Sequence, residues 1–308
     1  MNTDVREQRL IITSDLHMGN RLFPTNRSFT QLAQFALRND FSLCVNGDGV
    51  DVIQMSFSHL TRQLGAAAAV FKKYPDAGLK IYYTVGNHDI VLEHFLQDWG
   101  GVVVVPFINI ESGERRIRVE HGHMYDDNFL SYPGLYTAMM VLGRWAISIH
   151  PRVYETLEGA NTAVVHIGHF TKRFKGGEPE PELPDGIVGE HPSFRMAAEE
   201  ISVRGFDAVV FGHTHRPGKV RLQSGGMYYN TGAWMMKPYC VAIEEGRIWF
   251  GPVEELLKTP LKSLAWTEVA ADAPMAASTP AAAAGAEEPP VAATTGPAPA
   301  PLKVHRVG

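Results

Sequence analysis

The sequence predicts an α/β layered fold, and three observations carry that expectation. Short apolar runs alternate with stretches of helical periodicity, the pattern of strands and helices stacked in layers. Five of those runs deliver Asp, Asn or His into Gly-containing loops, and in open α/β sheets binding sites form outside the carboxyl ends of strands. The 308 residues, 45% hydrophobic and 20% charged, suit one or two ordinary globular domains with ample chain for a core.

In chain order, residues 10–13 read as a strand leading into Ser14-Asp15-Leu16-His17-Met18-Gly19. Phe29, Leu32, Ala33, Ala36 and Leu37 then recur at helical spacing, with Ser28 as the expected N-cap. A strand at 41–45 leads into Asn46-Gly47-Asp48-Gly49-Val50-Asp51, and an Ala-rich helix is expected over 59–74, ended by Pro75. The run 79–85 leads into Gly86-Asn87-His88-Asp89, followed by a helix expected over 90–99 and closed by Gly100-Gly101. Residues 102–105 are a further strand, and 108–110 with 117–119 a hairpin around Ser112-Gly113. The second arm of that hairpin ends in His121-Gly122-His123.

The chain then changes character. Residues 128–175 lack strand signals and read as an inserted helical cap, and 176–192 as an acidic Pro/Gly linker. A helix over 193–204 returns to the core, where the run 208–211 ends in Gly212-His213-Thr214-His215-Arg216-Pro217. Residues 227–231 and 240–250 read as β structure, the latter a hairpin turning near Glu244-Glu245-Gly246. The main domain is thus 1–265. The tail, 266–308, is Ala/Pro-rich and cannot bury enough apolar surface to order itself.

Bulk properties exclude several classes. A net charge of −5 with no Lys/Arg tract gives no basis for expecting a nucleic-acid partner. Cys44 and Cys240 show no pairing pattern, as expected in a reducing compartment. The start MNTDVREQRL is polar and shows no secretory signal. No run reaches the ~20 apolar residues of a membrane span; residues 135–149 come nearest and contain Arg144. The expected location is cytoplasmic, with peripheral contact at the inner face of a membrane through the cap as a further option.

Six of the thirteen histidines (17, 88, 121, 123, 213 and 215) stand at the predicted strand ends. His, Asp and Asn without Cys suit manganese, iron or zinc rather than a thiolate site. Two-metal sites hold ions about 3.5–4 Å apart and need a bridging carboxylate, for which Asp48 is the natural candidate. Asn87 would contribute a carbonyl oxygen. Its neighbour His88 would project differently, free to give a proton to a leaving oxygen.

The order Asp-x-His, Gly-Asp-x-x-Asp, Gly-Asn-His-Asp, His-Gly-His, Gly-His-Thr-His resembles the calcineurin-like metallophosphoesterase superfamily over residues 9–253. The resemblance implies a sandwich of two β-sheets flanked by helices, with two divalent ions, manganese foremost. It places the first ion on Asp15, His17 and His215, with Asp48 bridging, and the second on Asn87, His121 and His213. His88 would contact the scissile phosphate and protonate the leaving group, oriented by Asp89. Arg216 and His123 are expected to meet the substrate. Asp51 and Asp126 are read as loop braces or helix caps.

Within the superfamily the chain looks most like UDP-2,3-diacylglucosamine hydrolases of lipid A biosynthesis. That likeness rests on residues 212–217, on Asn230-Thr231-Gly232-Ala233-Trp234 and on the helical insertion. It implies pyrophosphatase chemistry by a metal-bridging hydroxide on a nucleotide-linked lipid, with the cap holding acyl chains. The chain departs from that pattern in His121-Gly122-His123, where His-Gly-Asp is usual, in His88, where some members carry Arg, and in its tail. A soluble nucleotide or a phosphoprotein is therefore the alternative substrate, and a non-catalytic protein-binding scaffold the rival outside enzymes.

Overall fold

In the computed structural model of this chain, residues 3–18, 26–51, 65, 67–98, 101–126 and 187–267 are described. The strands are β1 (Asp4–Arg6), β2 (Arg9–Thr13), β3 (Ser42–Asn46), β4 (Ile81–Thr84), β5 (Val102–Val105), β6 (Phe107–Ser112) and β7 (Arg115–Glu120). They continue as β8 (Ala208–Phe211), β9 (Gly218–Arg221), β10 (Met227–Asn230), β11 (Tyr239–Glu244) and β12 (Arg247–Pro252). Among the described residues, α1 (Asn26–Arg38), α2 (Pro192–Val203) and α3 (Val253–Lys258) pack on them, and residues 67–71 are helical as well, with Ala67 and Val70 in the core. All described residues fall within one unit, Met1–Val269.

The strands form two mixed six-stranded sheets, β12-β11-β2-β3-β4-β5 and β1-β6-β7-β8-β10-β9. In the first, β2 to β5 run parallel, and β11 adds to β2 antiparallel. In the second, β7, β8 and β10 run parallel. Parallel strands are covered on both faces and so read as unbroken apolar runs. Alternate residues of each run then go to different layers. Leu10 and Ile12 meet Ile117, Val119, Val210 and Tyr229 between the sheets, whereas Ile11, Leu43 and Val45 pack against Phe29, Leu32 and Ala36 of α1. On the far side Val209 and Phe211 pack against Phe194, Ala198 and Ile201 of α2. The layers are therefore helix, sheet, sheet, helix, as the α/β sandwich reading requires.

Several local expectations change. Helix α1 begins at Asn26, so Ser28 lies inside it rather than at its cap. The helix expected over 90–99 is a 3-10 helix, Ile90–Phe95, that buries none of its side chains. Only Leu92 of it packs, partly buried, against the core, so an α-helix there gains little from packing, and the chain instead runs along β5: Val104 N donates to Gln97 O, and Asp98 bridges Val103. Strands β1 and β9 give no signal in the sequence, because each lies at a sheet edge and is largely polar and exposed. The cap at 128–175 lies outside the described residues, as does the linker up to 186. The linker's end is built into the domain, with Ile187 in the core beside α2. The domain also continues past 265: Thr267 N donates to Ile248 O, and the Arg247 guanidinium lies over the Trp266 ring.

Candidate metal centre

Parallel register brings the ends of β2, β3 and β4 level, with Thr13 beside Val45 and Asn46 beside Thr84. Two polar rivets join the sheets at this end. The Asn46 amide donates to Glu120 O (2.9 Å) and accepts from the Thr84 hydroxyl (2.7 Å), while Ser14 Oγ lies 2.6 Å from Thr231 Oγ1. Beyond the rivets the loops follow one another closely. Asp15 N donates to Gly47 O (3.1 Å), His17 N to Asp48 O (2.8 Å), and Gly212 N to His121 O (3.0 Å).

This closeness constrains the backbone. Among the described residues seven non-glycine residues have positive φ, and five are Asp15 (51°), His17 (48°), Asp48 (50°), His213 (63°) and His215 (58°). Left-handed backbone is costly for residues with a Cβ and persists where the surroundings over-determine it. Two glycines make room. A Cβ on Gly47 (φ +72°) would enter the His121 ring, and one on Gly212 would stand on the Asp15 carboxylate.

The side chains converge. His215 Nε2 lies 3.2 Å from both Asp15 Oδ1 and His17 Nε2. Asn87 Oδ1 lies 2.9 Å from His213 Nδ1 and 3.2 Å from His121 Nε2, which is 3.3 Å from Asp48 Oδ2. Two donors each about 2.1 Å from one ion stand about 3.0 Å apart across a right angle and about 3.4 Å apart at the tetrahedral angle. The spacings fit that geometry. Among the described residues three groups of candidate ligands emerge: Asp15, His17, His215; His17, Asp48, His88; and Asp15, Asp48, His121. Asp15 Oδ1 is buried, with His215 Nε2 at 3.2 Å and the Nε2 atoms of His17 and His121 each at 4.0 Å. A buried carboxylate oxygen so placed is costly unless it meets a cation.

Electrostatics agree. Burial alone would push the Asp15 and Asp48 carboxyls up, but His121 and His215 around Asp15, and His121, His88 and His17 around Asp48, hold both below the usual carboxylate range. Burial would also depress His121, yet Asp48 and Asp15 raise it to about 9, whereas burial and His88 take His17 down to about 4. The two carboxyls are held ionised and His17 neutral, the states in which each can offer a lone pair to a cation.

The model of the calcineurin-like phosphoesterase family matches residues 8–217. The chain belongs to that family. The phosphoesterase is 28% identical over 241 residues to the UDP-2,3-diacylglucosamine hydrolase of Bordetella parapertussis, covering 73% of this chain and 84% of that protein. The Bordetella pertussis protein of the same name is 27% identical at the same coverage. A crystal structure of a dimetal phosphatase from Danio rerio overlaps 79% of this chain and 95% of its own at 12% identity, with a TM-score of 0.41. Membership makes the chain a metal-dependent phosphoester hydrolase, and the family implies two divalent ions.

Within the phosphoesterase site, one expected partnership is replaced. Asp89 does not face His88. Its carboxylate accepts from the backbone of Gly86 (2.7 Å) and Gly49 (2.9 Å) and from the Tyr83 hydroxyl, bracing the loop that carries Asp48. The carboxylate nearest His88 Nδ1 is Asp51, at 3.5 Å, and His88 Nε2 lies 3.9 Å from Asp48 Oδ2. Asp126, read as a helix cap, lies with Oδ2 3.0 Å from His213 Nε2, the place of a group that fixes which nitrogen a ligand histidine presents. His123 is 7% exposed and its ring packs beside those of His121 and His213. Arg216 lays its guanidinium against Gly189. No helix among the described residues is long and apolar enough to cross a membrane.

Proposed function

We propose that this phosphoesterase hydrolyses a phosphodiester or pyrophosphate bond, with one divalent ion on Asp15, His17 and His215, a second on Asn87, His121 and His213, and Asp48 shared. The observation that carries this reading is the meeting of donors from five strand ends in overlapping groups that share the buried Asp15, Asp48 and His17. When bound, such ions lower the pKa of water and neutralise phosphoryl oxygens, manganese being preferred for this set with iron or zinc as alternatives. His88 keeps Nδ1 toward Asp51, which leaves Nε2 to donate a proton to the departing oxygen. Asp48 and Asp51 raise the His88 imidazole against the effect of burial, as a proton donor requires. Asp51, not Asp89, takes the orienting role. Asp126 holds the His213 ring with Nδ1 toward Asn87.

For the substrate we favour a nucleotide-linked lipid or sugar such as UDP-2,3-diacylglucosamine. Support comes from the activity named for the Bordetella relatives and from apolar side chains beside the chemistry. Ile90, Val91 and Phe95, exposed by 37%, 43% and 51%, follow directly on His88 and Asp89. A cytoplasmic location, membrane contact through a cap at 128–175, and a tail that follows Thr267 belong to the same reading.

The test is a Mn2+-loaded enzyme assayed on UDP-2,3-diacylglucosamine in mixed micelles, on its deacylated counterpart, on a cyclic nucleotide and on a phosphopeptide. We expect the acylated substrate to have by far the highest kcat/KM. Equal rates with and without acyl chains would move the assignment to a soluble nucleotide, and turnover of none by a metal-loaded protein would sink the reading.

A further inference from the structure

Thr214 stands between two residues that both have left-handed backbone, His213 (φ 63°) and His215 (φ 58°). The tripeptide is strained at both ends, so something outside it must hold it in place. The Thr214 side chain is the handle. Its hydroxyl lies 2.8 Å from Glu190 Oε1 and 2.9 Å from Asn230 Nδ2. Glu190 comes from the turn ahead of α2, outside every strand-end loop. The same Oε1 is met by the Tyr228 hydroxyl (2.8 Å) and Asn230 Nδ2 (2.9 Å), both on β10. Asn230 Nδ2 also reaches Gly212 O at 2.8 Å, the residue before His213. One carboxylate oxygen thus ties the His-Thr-His loop to β10.

The geometry points to Glu190 as a positioning residue that holds the backbone of the His213-Thr214-His215 loop in the conformation in which both imidazoles face the metal centre. The inference rests on the metal-site reading above. Glu190 touches neither imidazole; it acts through Thr214 and Asn230. What it supplies is an acceptor at a fixed place, so an amide of the same shape can replace it and a methyl group cannot.

Burial supports this use of the group. It pushes the Glu190 carboxyl up to about 7, with the hydrogen bonds from Tyr228, Thr214 and Asn230 and the charge of Arg216 pulling back. A largely neutral acceptor meets the need as well as a charged one.

The experiment titrates Mn2+ into the metal-free full-length protein by calorimetry, for wild type, Glu190→Ala, Glu190→Gln and Thr214→Val. Loss of a group that orients metal ligands weakens affinity about 10–100-fold. We expect that loss in Glu190→Ala, a smaller loss in Thr214→Val, and wild-type affinity within about threefold in Glu190→Gln. Thermal melting of each variant identifies any that does not fold, and Thr214→Val decides if Glu190→Ala is such a one. Wild-type affinity in both Glu190→Ala and Thr214→Val overturns the inference. So does a Glu190→Gln variant as weak as Glu190→Ala, because charge and not placement would then be at work. A wild-type protein that takes up no Mn2+, Zn2+ or Fe2+ removes the metal-site reading and this inference together.

Discussion

Ile12 and Asp15 are three residues apart, as are Val210 and His213, yet the chain follows different rules at the two ends of each step. Ile12 and Val210 lie on extended backbone in an apolar layer where alternate side chains meet across the sheets. Asp15 and His213 sit on left-handed backbone, and Asp15 is fully buried among polar atoms. The floor between the sheets is satisfied by volume and alternation, which many apolar side chains supply. The rim is satisfied only by particular atoms at particular distances, because a buried polar group without its partner is expensive. Stability is stored in the floor, and the rim draws on it to hold strained loops together.

Substitutions that strike the rim or the floor separately sharpen this contrast. The largest effect belongs to Asp48→Ala, which removes the shared carboxylate. Elemental analysis should find neither ion retained, and turnover should fall by more than the ~10²–10⁴-fold that loss of a general acid costs. A variant that still held two ions would break the bridging assignment. Next is His88→Ala, expected to keep its metal content while kcat drops about 10²–10⁴-fold. Wild-type kcat there would remove the proton-donor role.

Glu190 gives an intermediate, pH-dependent effect. Its folded pKa of about 7 lies above the unfolded value of 4.5. The native state therefore holds this proton to higher pH than the unfolded chain does. The stability contributed by the neutral form is complete below 4.5 and is lost as pH rises through about 7, by at most about 3 kcal/mol. Glu190→Gln lacks that titration, so melting curves should show its advantage over wild type growing between pH 5 and pH 8. A constant difference would show that burial does not shift this carboxyl. The smallest effect is on the floor. Ile12→Val should cost about 0.5–1.5 kcal/mol in denaturant unfolding and leave Mn2+ affinity unchanged; a loss of affinity would mean that floor and rim are not separable.

The same contrast marks what could be read from the residues alone. Runs such as 10–13 and 208–211 declare buried parallel strands, and the Asp, Asn and His that follow them declare where the candidate ligand side chains stand. These are local facts, since an apolar run and the loop that ends it are contiguous. Tyr228 was legible only as part of a strand, Asn230 only as part of a strand-end motif, and Glu190 only as part of a linker. Nothing near them in the chain predicts that they meet Thr214.

Sequence therefore determined the layered fold class, the five loops and the chemical type of the donors, because hydrophobic period and loop chemistry act over a few neighbouring residues. Only the tertiary structure decided that β1 and β9 close the edges of one sheet, that Asp51 rather than Asp89 lies beside His88 Nδ1, and that Asp126 reaches His213. Each of those depends on where side chains point once distant loops are packed. Residues 87 positions apart, such as Asp126 and His213, come within 3.0 Å. That direction is set by packing and by the need to satisfy buried polar atoms, neither of which spacing along the chain records.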